Sequence, residues 1–160
     1  MSPRNSTRLA FLAAAAGALV AARAQAPKPL LDITASTARR GTSGSFLIVL
    51  KPGGTGLVAL QWELSAGPGI TLETGDIMAG SAAESSQKTI TCTARQTKFV
   101  CILAGGQKTL PAGTITVVRY KVSARAHAGI VDVRIENATA VSADLKRIDI
   151  GSAKAAITVE

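Results

Sequence analysis

Two hydrophobic patterns divide this chain. The first is an unbroken run of apolar and small residues over positions 9–22, preceded by Arg4 and Arg8 and followed by Ala24-Gln25-Ala26 and then Pro27. A basic start, an apolar stretch and a small-x-small site make the three-part design of a secretory signal, so residues 1–26 are expected to be cleaved. The apolar run spans 14 residues, short of the roughly 20 a helix needs to cross a bilayer. The processed chain, residues 27–160, is therefore expected to be one secreted domain with no stable membrane insertion. The sequence leaves periplasmic and extracellular destinations both open.

Beyond residue 26 helical periodicity disappears, and short β-rich runs alternate with Gly, Pro, Ser and Ala. This is the pattern of an all-β sandwich or barrel. Nine strands are predicted. The first, at residues 30–36, sets Leu31, Ile33 and Ala35 against Asp32, Thr34 and Ser36. The second, at 45–51, is almost wholly apolar and reads as central. The third, at 57–64, puts Leu60, Trp62 and Leu64 on one face and Ala59, Gln61 and Glu63 on the other, because strand side chains alternate with period two. A short fourth strand at 70–74 leads into a loop over 75–86. Strands five to nine are expected at 88–94, 98–104, 114–124, 129–137 and 153–159. In the eighth, Val131, Val133 and Ile135 oppose Asp132, Arg134 and Glu136.

Strands five and six form the clearest hairpin. If Cys92 faces Cys101, the same arithmetic pairs Ala94 with Phe99 and Ile90 with Leu103, and all six point to one apolar side. Directly opposed antiparallel residues lie about 4.5–5.5 Å apart at Cβ, near the reach of a disulfide. An exported chain enters an oxidising compartment, so an even pair of cysteines is read as a disulfide.

Composition adds constraints. The chain carries 18 Lys+Arg and 10 Asp+Glu; loss of Arg4, Arg8 and Arg23 with the signal leaves 15 against 10, a net +5. These charges are scattered, without the basic stripe and interleaved aromatics of a nucleic-acid surface. The aromatics after residue 26 are Phe46, Trp62, Phe99 and Tyr120, so the core must be chiefly aliphatic. Trp62 shares its phase with Leu60 and Leu64 and reads as core, which weakens a sugar-stacking role.

Catalytic chemistry finds no footing. The single histidine, His127, falls in a turn sequence, and no nucleophile elbow, zinc-binding motif or phosphate-binding glycine loop is present. Asp76, Asp132, Asp144 and Asp149 lack calcium-loop spacing. No cofactor and no metal site are expected, and the chain is expected not to be an enzyme. Asn137-Ala138-Thr139 matches a glycosylation sequon.

The order of elements resembles the cohesin domain and its carbohydrate-binding-module relatives, over roughly residues 31–159. Gly56-Leu57-Val58-Ala59-Leu60-Gln61-Trp62-Glu63-Leu64 is similar to that family's third strand. Gly69-Ile70-Thr71-Leu72-Glu73 and Gly75-Asp76-Ile77 are similar to the segment after it, and residues 113–122 to a later strand of the form G-x-[IL]-x-x-[IV]-x-[FY]-x-[VA]. The resemblance implies a nine-stranded jelly roll in which the sheet of strands eight, three, six and five receives a dockerin module, assembling polysaccharide-degrading enzymes outside the cell. By strand phase the outward residues of that sheet are Asp132, Arg134, Glu136, Gln61, Glu63, Thr91, Thr93 and Val100. Two departures stand out: Ser65-Ala66-Gly67-Pro68 replaces the family's tyrosine-aspartate-proline turn, and the Cys92/Cys101 pair is not a family hallmark. The expected role is a non-catalytic module that binds a protein partner, dockerin-like or another secreted protein, through a sheet face. The competing expectation is direct polysaccharide binding through polar loops.

Overall fold

A computed structural model describes residues 27–160; the expected signal peptide, 1–26, lies outside the described residues. The strands are β1 (Leu30–Ile33), β2 (Ser36–Ala38), β3 (Ser43–Lys51), β4 (Leu57–Ala66), β5 (Ile70–Thr71), β6 (Ile77–Ala79), β7 (Thr89–Arg95), β8 (Lys98–Ala104), β9 (Gly113–Val122), β10 (Gly129–Ser142) and β11 (Arg147–Val159). A 3-10 turn at Thr74–Asp76 precedes β6, and the short helix α1 (Ser81–Ser85) follows it.

Two sheets face each other. The smaller runs β1-β3-β9-β5, with β6 also on β9; the larger runs β2-β11-β10-β4-β8-β7. The core lies between them, because each strand turns one side inward. Phe46, Ile48 and Leu50 of β3 meet Leu60, Trp62 and Leu64 of β4, Cys101 and Leu103 of β8, and Val133 and Ile135 of β10, all buried. Burial of each large aliphatic is worth about 1.5–3 kcal/mol relative to exposure. Among the described residues no helix is long and apolar enough to cross a membrane.

The all-β jelly-roll sandwich matches the expectation, and the eleven segments reduce to nine strands, two of them interrupted. The first predicted strand divides. β1 pairs antiparallel with β3, and β2 pairs parallel with β11 in the opposite sheet. The chain crosses between sheets at Thr34 and Ala35, so Leu31 is buried but Ala35 is exposed, and the predicted alternation ends there. The fourth strand, expected at 70–74, shortens to β5, and beyond the 3-10 turn an unpredicted β6 pairs with the same neighbour, β9. The loop expected over 75–86 thus holds β6 and α1.

β10 extends beyond Asn137. A bulge shifts its register between Ile135 and Ala138 on the β11 side and between Glu136 and Thr139 on the β4 side. Asn137 takes a left-handed φ of 51° there, a conformation asparagine tolerates better than most residues. Both strands gain length as a result, and β11 begins at Arg147, ahead of the predicted start at 153.

Candidate binding face

Three ladders decide which side chains share the outer face of the larger sheet. β10 pairs with β4, β4 with β8 and β8 with β7, which reproduces the expected neighbour order of strands eight, three, six and five. Register then assembles two rows across the sheet. Glu136 lies opposite Glu63, Glu63 opposite Val100, and Val100 opposite Thr93. In the next row Thr139 faces Gln61, Gln61 faces Ile102, and Ile102 faces Thr91.

All eight residues singled out by strand phase fall on this face. Gln61, Thr91, Thr93 and Arg134 are exposed; Glu63, Val100, Asp132 and Glu136 are half-buried. The face also holds residues that sequence reasoning missed. Ile102 is one strand period beyond Val100 and could have been found by phase; it is 45% exposed, an unusual position for a large aliphatic. Lys98 is the first residue of β8, as the predicted strand at 98–104 has it, but phase alone does not show that its ammonium reaches carboxylates on two other strands. Lys154 reaches the face from β11, and only the register of β10 with β11 puts it opposite Arg134.

The charges are arranged in two interlocked sets. Glu63 and Glu136 oppose each other across β4 and β10, which alone would be repulsive. The Lys98 ammonium bridges them, donating to Glu136 Oε2 at 2.7 Å and to Glu63 Oε2 at 3.2 Å. The hydrogen bond from Lys98 holds the Glu63 carboxyl below its usual range. The pairing with Glu136, reinforced by Glu63, raises the Lys98 ammonium above its own. Asp132 is the mirror case: Lys154 Nζ at 2.9 Å and Arg134 Nη2 at 3.0 Å both meet its Oδ2. The Lys154 contact, then Arg134, keeps Asp132 ionised to lower pH than usual.

One part of the face is therefore a lattice of paired charges on β10, β4 and the start of β8. The neighbouring part, Gln61, Thr91, Thr93, Val100 and Ile102, is uncharged. Beside the charged part, a shallow depression of about 570 Å³ runs from Pro68 past Ile130 to Arg134, and Ile130 is 74% exposed.

The other candidates lie elsewhere. His127 is exposed in the loop between β9 and β10. Cys92 and Cys101 are disulfide-bonded, with S–S 2.04 Å, and their pairs Ala94/Phe99 and Ile90/Leu103 form in the expected register. Trp62 is fully buried. Among the described residues, no three His, Cys, Asp or Glu side chains come together in a way that would hold a metal ion.

This sandwich, with its open four-strand face, has the fold of cohesin modules. Solved structures with the same fold include a non-cellulosomal cohesin from the archaeon Archaeoglobus fulgidus (10% identity, 84% of this chain and 92% of that one, TM-score 0.71). Another is a cohesin–dockerin complex of type I from Clostridium thermocellum (13% identity, 84% and 100%, TM-score 0.72). A third is the cohesin module of a family 33 glycoside hydrolase from Clostridium perfringens (8% identity, 83% and 96%, TM-score 0.64). No family model matches the sequence, and no curated protein does so either. At these identities the likeness establishes the fold.

Proposed function

We propose that this chain is a secreted, non-catalytic interaction module that takes a protein partner of dockerin type on the outer face of β10, β4, β8 and β7. The observation that carries this reading is the face itself: an open surface on which the exposed Ile102 and the half-buried Val100 lie beside carboxylates already paired with Lys98. Paired charges need no reorganisation on docking and select against partners of the wrong polarity, while the exposed aliphatic strip supplies area to bury. Several of the structural neighbours are cohesins in complex with dockerins, which supports a protein over a small molecule as the ligand. The Cys92–Cys101 disulfide suits an oxidising compartment, in keeping with removal of residues 1–26 and export of residues 27–160.

Polysaccharide binding is the weaker reading. Trp62, Phe46 and Tyr120 are buried and Phe99 is half-buried, so no aromatic platform is offered to a sugar ring among the described residues. The test is a pull-down of the processed protein against dockerin modules, run beside a soluble-polysaccharide gel-shift. Retention of a dockerin, lost in Ile102→Asp and Lys98→Glu, is the expected result. Retardation by polysaccharide with no protein retained would overturn the proposal.

A further inference from the structure

Each sheet of an open sandwich ends in strands with unpaired backbone groups, and proteins commonly shield such edges with short strands, bulges, proline or charge. Three of the four edges here are shielded in this way. β1 has four residues, follows Pro29 directly and carries the Asp32–Lys51 ion pair. β2 has three residues and runs into Arg39 and Arg40. β5 and β6 have two and three residues, separated by the 3-10 turn.

The fourth edge, β7, is different. It has seven residues, its ladder with β8 runs without a bulge from Thr89/Ala104 to Arg95/Lys98, and no proline or charge occurs between Thr89 and Ala94. Among the described residues β8 is its only sheet partner.

The direction of its free groups follows from the hairpin. Cys92 and Cys101 have Cα atoms 4.1 Å apart, the separation of a non-hydrogen-bonded antiparallel pair. Thr89, Thr91, Thr93 and Arg95 therefore spend their backbone groups on β8. Ile90, Cys92 and Ala94 turn theirs outward, where none finds a backbone partner among the described residues.

We infer that β7 is a self-association edge, at which two copies of this chain pair their β7 strands antiparallel about a two-fold axis at Cys92. Cys92 is the middle residue of the strand, so this register engages its full length. Ile90 then lies opposite Ala94 of the second copy, Cys92 opposite its own counterpart, and each outward-facing pair exchanges two N–H···O bonds.

The side chains on the outer face are compatible with the same register. Thr91 meets Thr93 of the second copy, a favourable cross-strand pair, and Arg95 meets Thr89, so no like charges are opposed. The two larger sheets become one, and the candidate binding faces become continuous across the axis. The intrachain disulfide is unaffected, since its sulfurs point into each core.

The test is sedimentation equilibrium of the processed protein across a concentration series, with three variants. For the parent chain, the weight-average mass should climb toward twice the monomer value, and the Ile90, Cys92 and Ala94 amides should become protected from exchange as it does so. T91K/T93K sets lysine against lysine at both threonine pairs and should weaken association by about tenfold or more. T91K/T93E sets lysine against glutamate in this register alone and should retain it. Ala94→Pro removes an outward N–H without removing a bond to β8, and should abolish association. A protein monomeric at every concentration overturns the inference. So does a dimer that T91K/T93K leaves intact, or a T91K/T93E chain no better than T91K/T93K.

Discussion

Trp62 lies directly across the β4–β8 ladder from Cys101, and Cys101 is bonded to Cys92 on β7. Trp62, Cys101 and Cys92 thus share one inward row spanning three strands, and the bond fastens the half-buried Cys92 of the edge strand to the fully buried Cys101 beside the indole. A disulfide quenches a neighbouring excited indole by accepting an electron. Because Trp62 is the single tryptophan, its emission should rise on selective reduction before any unfolding shift in wavelength. An unchanged intensity would mean that the indole and the sulfurs are not neighbours.

The same bond should contribute to stability. Its cysteines are nine residues apart, and closing so short a loop removes about 2–3 kcal/mol of unfolded-state freedom in the chain-entropy account. C92A/C101A should lower the unfolding free energy by a corresponding amount, read from the denaturant midpoint and slope together. Thiol titration of the unfolded, unreduced protein should find no sulfhydryl from this pair.

Gly44 backs onto Tyr120 across β3 and β9. A Cβ at this position would collide with the Tyr120 hydroxyl oxygen and the ring carbon that bears it. The ring cannot yield, since it is fully buried and its hydroxyl is 2.9 Å from Ser36 Oγ. Ser36 belongs to β2 of the opposite sheet, so this hydrogen bond also ties the two layers together. Gly44→Ala should therefore cost about 1–3 kcal/mol as an overpacking change, measured by thermal or urea unfolding. Gly54→Ala, where an added Cβ meets no atom within 4 Å, should cost less, chiefly backbone strain from its positive φ.

Acid should weaken the folded state through the outer face. Glu63 and Asp132 both have carboxyls held below their ordinary values of 4.5 and 3.8, by Lys98 and by Lys154 respectively. The stability this linkage supplies is complete above those values and is lost as pH falls through the lowered ones. In Lys98→Met the Glu63 carboxyl loses its main partner while still facing Glu136, so its titration should move upward. A carbon-detected NMR titration that finds Glu63 unmoved would contradict the bridging role of Lys98.

Alkali separates the two buried or bridging lysines. Lys98 is raised above 10.5, so its contribution persists below that value and disappears as pH rises through the raised one. Lys88 behaves oppositely. Its side chain is only 4% exposed, its ammonium donates to the Gly105 and Gly106 carbonyls, and burial lowers its pKa. The unfolded chain then binds the extra proton, so stability should increase with pH between the lowered value and 10.5. Comparing unfolding free energies of the parent chain and Lys88→Met across this range should reveal that gain in the parent alone.

Strand phase in the sequence already separates the inward row Leu60, Trp62, Leu64 from the outward Gln61 and Glu63, and once Cys92 is set against Cys101 the hairpin arithmetic already pairs Ala94 with Phe99 and Ile90 with Leu103. Both are local: side-chain direction alternates with each peptide unit, and a two-residue reversal leaves its flanking strands little choice of register. The crossing at Thr34–Ala35, the bulge at Asn137 and the position of Lys154 beside Asp132 are of another kind. The first two depend on strands far apart in the chain becoming neighbours, β2 with β11 and β10 with β4, and the third on the register that the bulge leaves between β10 and β11; those choices are made by the burial of two complete sheet faces against each other. The alternation of residues thus determined what each strand would bury. Only the packed sandwich decided which charges would meet, where Lys98 would find two carboxylates, and which edge would be left open.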